Sequence, residues 1–131
     1  MPRYSIHPTS GIAPSEQIGE QVRFQVAAGV LREGDRLTSV RQLASEILVN
    51  PNTVAKAYRQ LEWEGIVEGR AGEGVFVASG AREICVASRD RVLRERLSRL
   101  LDESRAAGLD PEEFWNWFET QMLRWREGVQ T

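Results

Sequence analysis

The chain reads as mainly α-helical with one small β-hairpin. A three-helix unit and its hairpin fill residues 1–79, and a short two-helix appendage fills residues 80–131. Three observations predict this. Apolar residues recur at helical spacing in five stretches bounded by start and stop signals. Two short β-rich runs among glycines interrupt them. After Ser79 and Gly80 the composition changes to arginines and then aromatics.

Each element follows from local chemistry. Tyr4, Ser5 and Ile6 form a short extended segment ended by His7 and Pro8. Pro14 suits the first position of a helix, and Ile18, Val22 and Val26 repeat every four residues on one face until Gly29. Gly34 and Asp35 signal a turn. Ser39 and Gln42 have the spacing of a capping box, in which each side chain bonds the other's backbone N–H. A short helix follows, with Val40, Leu43, Ala44 and Ile47 inward, and Leu48 and Val49 make a tight connection. Asn50 then caps a helix with Pro51 in its first turn. Val54, Ala57, Tyr58 and Leu61 face inward, and Gly65 stands where a C-terminal glycine belongs. Ile66 to Glu68 and Val75 to Ala78 pair as a hairpin with a loose tip. Gly69, Gly72 and Gly74 do not make a nucleotide-binding loop, because such a loop opens a helix and here a strand follows. Val92, Leu93, Leu97, Leu100 and Leu101 mark a fourth helix ended by Gly108. Asp110, Pro111, Glu112 and Glu113 start a fifth, with acid at the favourable end of the dipole.

Helix, short helix, tight turn, helix and hairpin in that order form the winged helix-turn-helix pattern. Such a scaffold presents the start of its third helix to the DNA major groove. Bulk charge does not announce this partner: 17 basic and 19 acidic residues give a net −2. Local charge does, since no acid lies between Glu46 and Glu62 while Lys56 and Arg59 do. A lone cysteine, Cys85, cannot form an intrachain disulfide, which fits a reducing compartment. With one histidine, His7, beside it, a structural zinc site from this chain is excluded. No apolar run approaches the ~20 residues of a membrane helix, and no export signal opens the chain. A cytoplasmic location, no metal and no cofactor are the expectations. The chain shows no nucleophile–base–orienter arrangement, so no enzyme is expected.

The motifs are more specific. Gly34 to Ala44, running Gly-Asp-Arg-Leu-Thr-Ser-Val-Arg-Gln-Leu-Ala, is similar to the opening motif of GntR-family regulators. Val49-Asn50-Pro51-Asn52-Thr53-Val54, then Ala57-Tyr58 and Leu61-Glu62, resembles that family's recognition helix, above all in its YtrA-like subfamily. Gly65-Ile66-Val67 and Gly72 to Val77 resemble its wing. The resemblance covers about the first 79 residues. Thr38 stands where the family usually has proline. Pro51 and Ala55 stand where relatives with larger effector domains often carry arginine, so base contacts do not transfer there.

The resemblance implies a DNA-contacting role for Arg41, with a surface salt bridge as the bland alternative. Asn50 and Thr53 open the recognition helix, where helix capping and DNA contact are compatible. Asn52 points outward, where asparagine pairs with an adenine edge. Lys56 reaches phosphate or guanine, and Arg59 a phosphate. Arg70 and Gly72 at the wing tip approach phosphates or the minor groove. Tyr58 reads as core with its hydroxyl at the rim, and Cys85 and His7 as structural.

The last two helices carry more apolar surface than they can bury against each other. A second copy of the chain is the expected cover, through Leu93, Leu97, Leu100, Trp115, Phe118, Met122 and Trp125; packing onto the chain's own first unit is the alternative. YtrA-like proteins have short helical tails that pair their subunits. A two-fold dimer would place two recognition helices on a palindromic operator in double-stranded DNA, with repression as the default outcome. The competing reading is a protein-interaction adaptor that keeps the scaffold without DNA binding, favoured by the near-neutral charge. The sequence names no small-molecule effector.

Overall fold

The computed structural model describes residues 3–128. The chain divides into two compact units between Arg91 and Val92.

In the first unit α1 spans Pro14–Ala27, α2 Val40–Ile47 and α3 Pro51–Trp63. Ile18, Val22 and Val26 of α1 are fully buried, as their spacing requires. Past its end Gly29 takes φ +79°, and the N–H groups of Val30 and Leu31 both donate to Gln25 O. Only half of the expected capping box forms. Ser39 Oγ accepts from Gln42 N at 3.2 Å, but the Gln42 amide donates forward to Glu46 Oε1 at 3.0 Å instead of back to the cap. Leu48 closes α2 in the left-handed region, with φ 56° and ψ 51°, and its N–H donates to Ala44 O. Asn50 Oδ1 accepts from Asn52 N at 2.8 Å and so opens α3.

Strands β1 (Val67–Arg70) and β2 (Gly74–Val77) pair antiparallel, Val67 opposite Val77 and Arg70 opposite Gly74. The tip is not loose. Glu73 N donates to Arg70 O at 2.9 Å across a turn whose third residue, Gly72, has φ +76°; a positive φ there is the type II arrangement that glycine favours. The segment from Gly34 to Leu37 adds a third edge. Gly34 N donates to Val77 O, Val77 N to Asp35 O and Leu37 N to Val75 O, each at 2.8 Å.

The core joins Ile18, Val22 and Val26 to Leu43, Val54, Leu61, Ile66, Val67 and Val77. Each such aliphatic side chain contributes ~1.5–3 kcal/mol on burial. Arg23 of α1 grips Glu64 with three hydrogen bonds of 2.7–3.0 Å, tying α1 to the end of α3. The extended N-terminal segment is strapped to α1 by glutamines one turn apart. Gln25 donates to Arg3 O, Gln21 exchanges bonds with Ser5 N and O, and buried Gln17 does so with His7 N and O. Tyr4 and Ile6 pack on the core between these bonds.

Helix α4 runs from Ala81 to Ala106, and its start belongs to the first unit. Ala81 and Cys85 are fully buried members of that core. The expected boundary at 79/80 thus precedes the division of the compact units by twelve residues, 80–91. Composition shifts where the helix begins; packing shifts where its apolar face leaves the core. Burial also pushes the Cys85 thiol up to about 11.

In the second unit, Gly108 takes φ +77° after α4 and α5 spans Pro111–Arg126. No residue of α5 is buried. The Trp115 and Phe118 rings meet at 5.7 Å, beside an apolar groove of about 370 Å³ lined by Leu97, Leu101, Leu109 and Phe114.

Candidate nucleic-acid interface

Helix α3 is two-sided. At about 100° per residue, Asn52, Lys56 and Arg59 fall within roughly 60° of one another, opposite Val54, Ala57, Tyr58 and Leu61. Burial follows that division: the second set is buried and the first exposed. Core packing therefore fixes which edge of α3 points to solvent. Thr53 is half-buried at the border, and its N–H donates to Asn50 O. Asn50 is exposed; its side-chain oxygen is spent on the cap, which leaves the amide NH₂ outward.

The relation of α2 to α3 is held by Tyr58. Its ring is buried, and its hydroxyl donates to Thr38 O at 2.6 Å, just before the Ser39 cap. Desolvation raises its pKa strongly, with smaller contributions from Tyr4 and Glu46, so the hydroxyl stays a donor. Arg41 lies exposed on the first turn of α2. Neither Arg41, Lys56 nor Arg59 forms an ion pair among the described residues. The acid-free window holds along the chain but not in space. Lys56 borders a cleft of about 570 Å³ between α1 and α3 that Glu16 and Glu20 also line.

On the wing, Gly72 is exposed at the turn. Arg70 is not a free arm. Its guanidinium lies 4.1 Å over the Phe76 ring and bonds Glu68 Oε1 at 2.9 Å, so it is held on the outer face of the hairpin. Two features of this unit are not expected from the sequence: Leu48, 90% exposed in the turn between α2 and α3, and Arg36, laid against Gly74.

Residues 14–77 match the family described as bacterial regulatory proteins, gntR family. Over 114 residues the chain is 37% identical to the HTH-type transcriptional repressor YtrA of Bacillus subtilis (strain 168), spanning 87% of this chain and 88% of that one. The chain belongs to the GntR family. Because the likeness runs through nearly all of both proteins, it belongs to the YtrA-like subfamily. Solved structures agree. YtrA from Sulfolobus acidocaldarius, a GntR-family transcription factor, superposes with a TM-score of 0.56 at 33% identity, covering 74% of this chain and 95% of that one. A transcriptional antiterminator from Listeria monocytogenes EGD-e gives 0.67 at 31% identity, covering 92% and 90%. This GntR-family member is a DNA-binding regulator of transcription on a winged helix-turn-helix unit.

Proposed function

We propose that this GntR-family protein is a cytoplasmic, sequence-specific repressor that binds a palindromic operator as a homodimer and acts by occupying DNA rather than by catalysis. The observation that carries the reading is the two-sided α3. Its apolar side is consumed by the core, while Asn52, Lys56 and Arg59 stand exposed with no ion pair among the described residues. Asn52 reads a base edge, Lys56 reaches guanine or phosphate, and Arg59 with Arg41 grips the backbone. Asn50 and Thr53 add contacts at the start of α3, and Arg70 and Gly72 from the wing.

Residues 1–79 act as the DNA-binding domain and 80–131 as the dimerisation region. Support for the dimer comes from the second unit, where Leu93, Leu97, Leu100, Trp115, Phe118 and Trp125 are 38–74% exposed and Met122 is half-buried. Exposed apolar side chains of that kind mark an interface. The likeness to the Bacillus subtilis repressor supports repression.

The test is fluorescence anisotropy against genomic duplexes, including the segment upstream of the protein's own gene. Tight binding that weakens steeply with salt is expected. Arg41→Ala and Lys56→Ala should each cost roughly tenfold or more in affinity, the loss of a charge-assisted contact, at unchanged melting temperature. Full affinity in both variants overturns the residue assignment. Absence of binding to every duplex at low salt overturns the function.

A further inference from the structure

Resting on the DNA-binding reading, we infer that Arg36 is a further phosphate-contacting residue, held ready on the wing by the missing side chain of Gly74. Arg36 pairs with Phe76 across the edge that residues 34–37 add to the hairpin, and Glu68 pairs with Phe76 from the other side. Residues directly opposite in antiparallel pairs share a face. Glu68, Phe76 and Arg36 therefore project from one side of the wing, and so does Arg70, two residues after Glu68. It is the outer side, because Val77 on the alternate positions is buried and Val75 packs on the core.

Two guanidinium groups rest on this face. Arg70 covers the Phe76 ring. Arg36 crosses the backbone at Gly74, where an added Cβ would stand 2.7 Å from Arg36 Nε and 3.3 Å from its Cζ. Gly74 also has φ +121°, a region closed to other residues, so the strand leaves a shelf that only glycine provides. The charge on that shelf is not cancelled. Asp35 turns its carboxylate to Arg32 N, Glu33 to Gly80 N, and Glu68 to Arg70. Arg36 itself has no ion pair among the described residues.

An exposed guanidinium laid against the Gly74 backbone without a counter-ion is suited to an anion that arrives from outside. Arginine's planar fork matches a phosphate diester. Its place selects duplex DNA as the source of that phosphate. Arg36 stands three residues before the Ser39 cap of α2, which carries Arg41, and on the wing face that carries Arg70. It thus joins the two segments proposed to flank the α3 contact. A phosphate contact adds affinity without sequence preference.

The test titrates the full chain and Arg36→Gln against an operator duplex and a random duplex from 50 to 200 mM salt. Arg36→Gln should weaken both duplexes to the same degree and lower the slope of log affinity against log salt by about 0.9, one phosphate contact. Arg36→Lys keeps the charge and should keep most of the slope. Gly74→Ala should displace Arg36 and reproduce the loss while the Arg41 contribution persists. If wild type binds but Arg36→Gln matches it in affinity and slope, Arg36 has no DNA role and the wider reading stands. If wild type binds no duplex, both fall.

Discussion

Replacing Leu48 with glycine should stabilise the protein. Leu48 is the one non-glycine residue with positive φ among the described residues, and it sits in the left-handed region at 56°, 51°. For a residue with a Cβ that conformation costs about 1–2 kcal/mol. The side chain returns almost nothing, because it is 90% exposed; a tenth of a leucine's burial is worth roughly 0.2–0.3 kcal/mol. Glycine relieves the strain but adds about 0.5–1 kcal/mol of unfolded-state entropy. The balance is a gain of roughly 0.5 kcal/mol, a few degrees in melting temperature. Leu48→Ala is the control, since alanine removes the exposed chain but keeps the Cβ and hence the strain. Urea and thermal unfolding of the three proteins decide it. A glycine variant less stable than wild type, or an alanine variant that gains as much, refutes the strain argument.

Three further outcomes are expected. Gln17→Met should cost roughly 1–3 kcal/mol and expose amides 4–12 to hydrogen exchange, because the Gln17 side chain makes four hydrogen bonds, with His7 N, His7 O, Ser10 Oγ and Ile12 O. If the proposed homodimer forms, Trp115→Glu should shift sedimentation from dimer to monomer. Covering that ring's exposed 59% contributes roughly 3 kcal/mol per copy, so the dimer dissociation constant should rise at least 100-fold. Alkali should destabilise the protein. The fold favours the neutral Cys85 thiol, pushed from 9.0 to about 11, so its contribution is whole below pH 9 and is lost as pH rises through 11. The Tyr4 hydroxyl, pushed to about 12, extends the loss. The urea midpoint should be flat from pH 7 to 9 and fall above it. Cys85→Ala should flatten that fall by roughly 2–3 kcal/mol.

Legibility in the sequence follows the range of the interactions. Pro14, Ser39, Asn50 and Gly65 announce helix ends because caps and turns act over three or four residues. The inward faces of α1 and α3 are legible because burial repeats with the helical period. The exposed set of α3, hence most of the candidate DNA-contacting face, comes out as the complement of its core. The reading falters where a side chain had a choice of partners. Gln42 had two acceptable hydrogen bonds within one turn and took the one to Glu46. The hairpin tip looks loose by its glycines, yet Gly72 supplies the positive φ that tightens it.

By its own pattern, the sequence determined five helices, one hairpin and the polarity of the recognition helix, since periodicity and capping are properties of neighbouring residues. Packing alone decided the rest. Glu16 and Glu20 come to the cleft that Lys56 borders, Cys85 joins the first core, and Arg36 rests on Gly74. Glu16 and Glu20 lie 40 and 36 positions from Lys56, and Arg36 lies 38 from Gly74, beyond the reach of any local rule, and only the folded backbone brings them together.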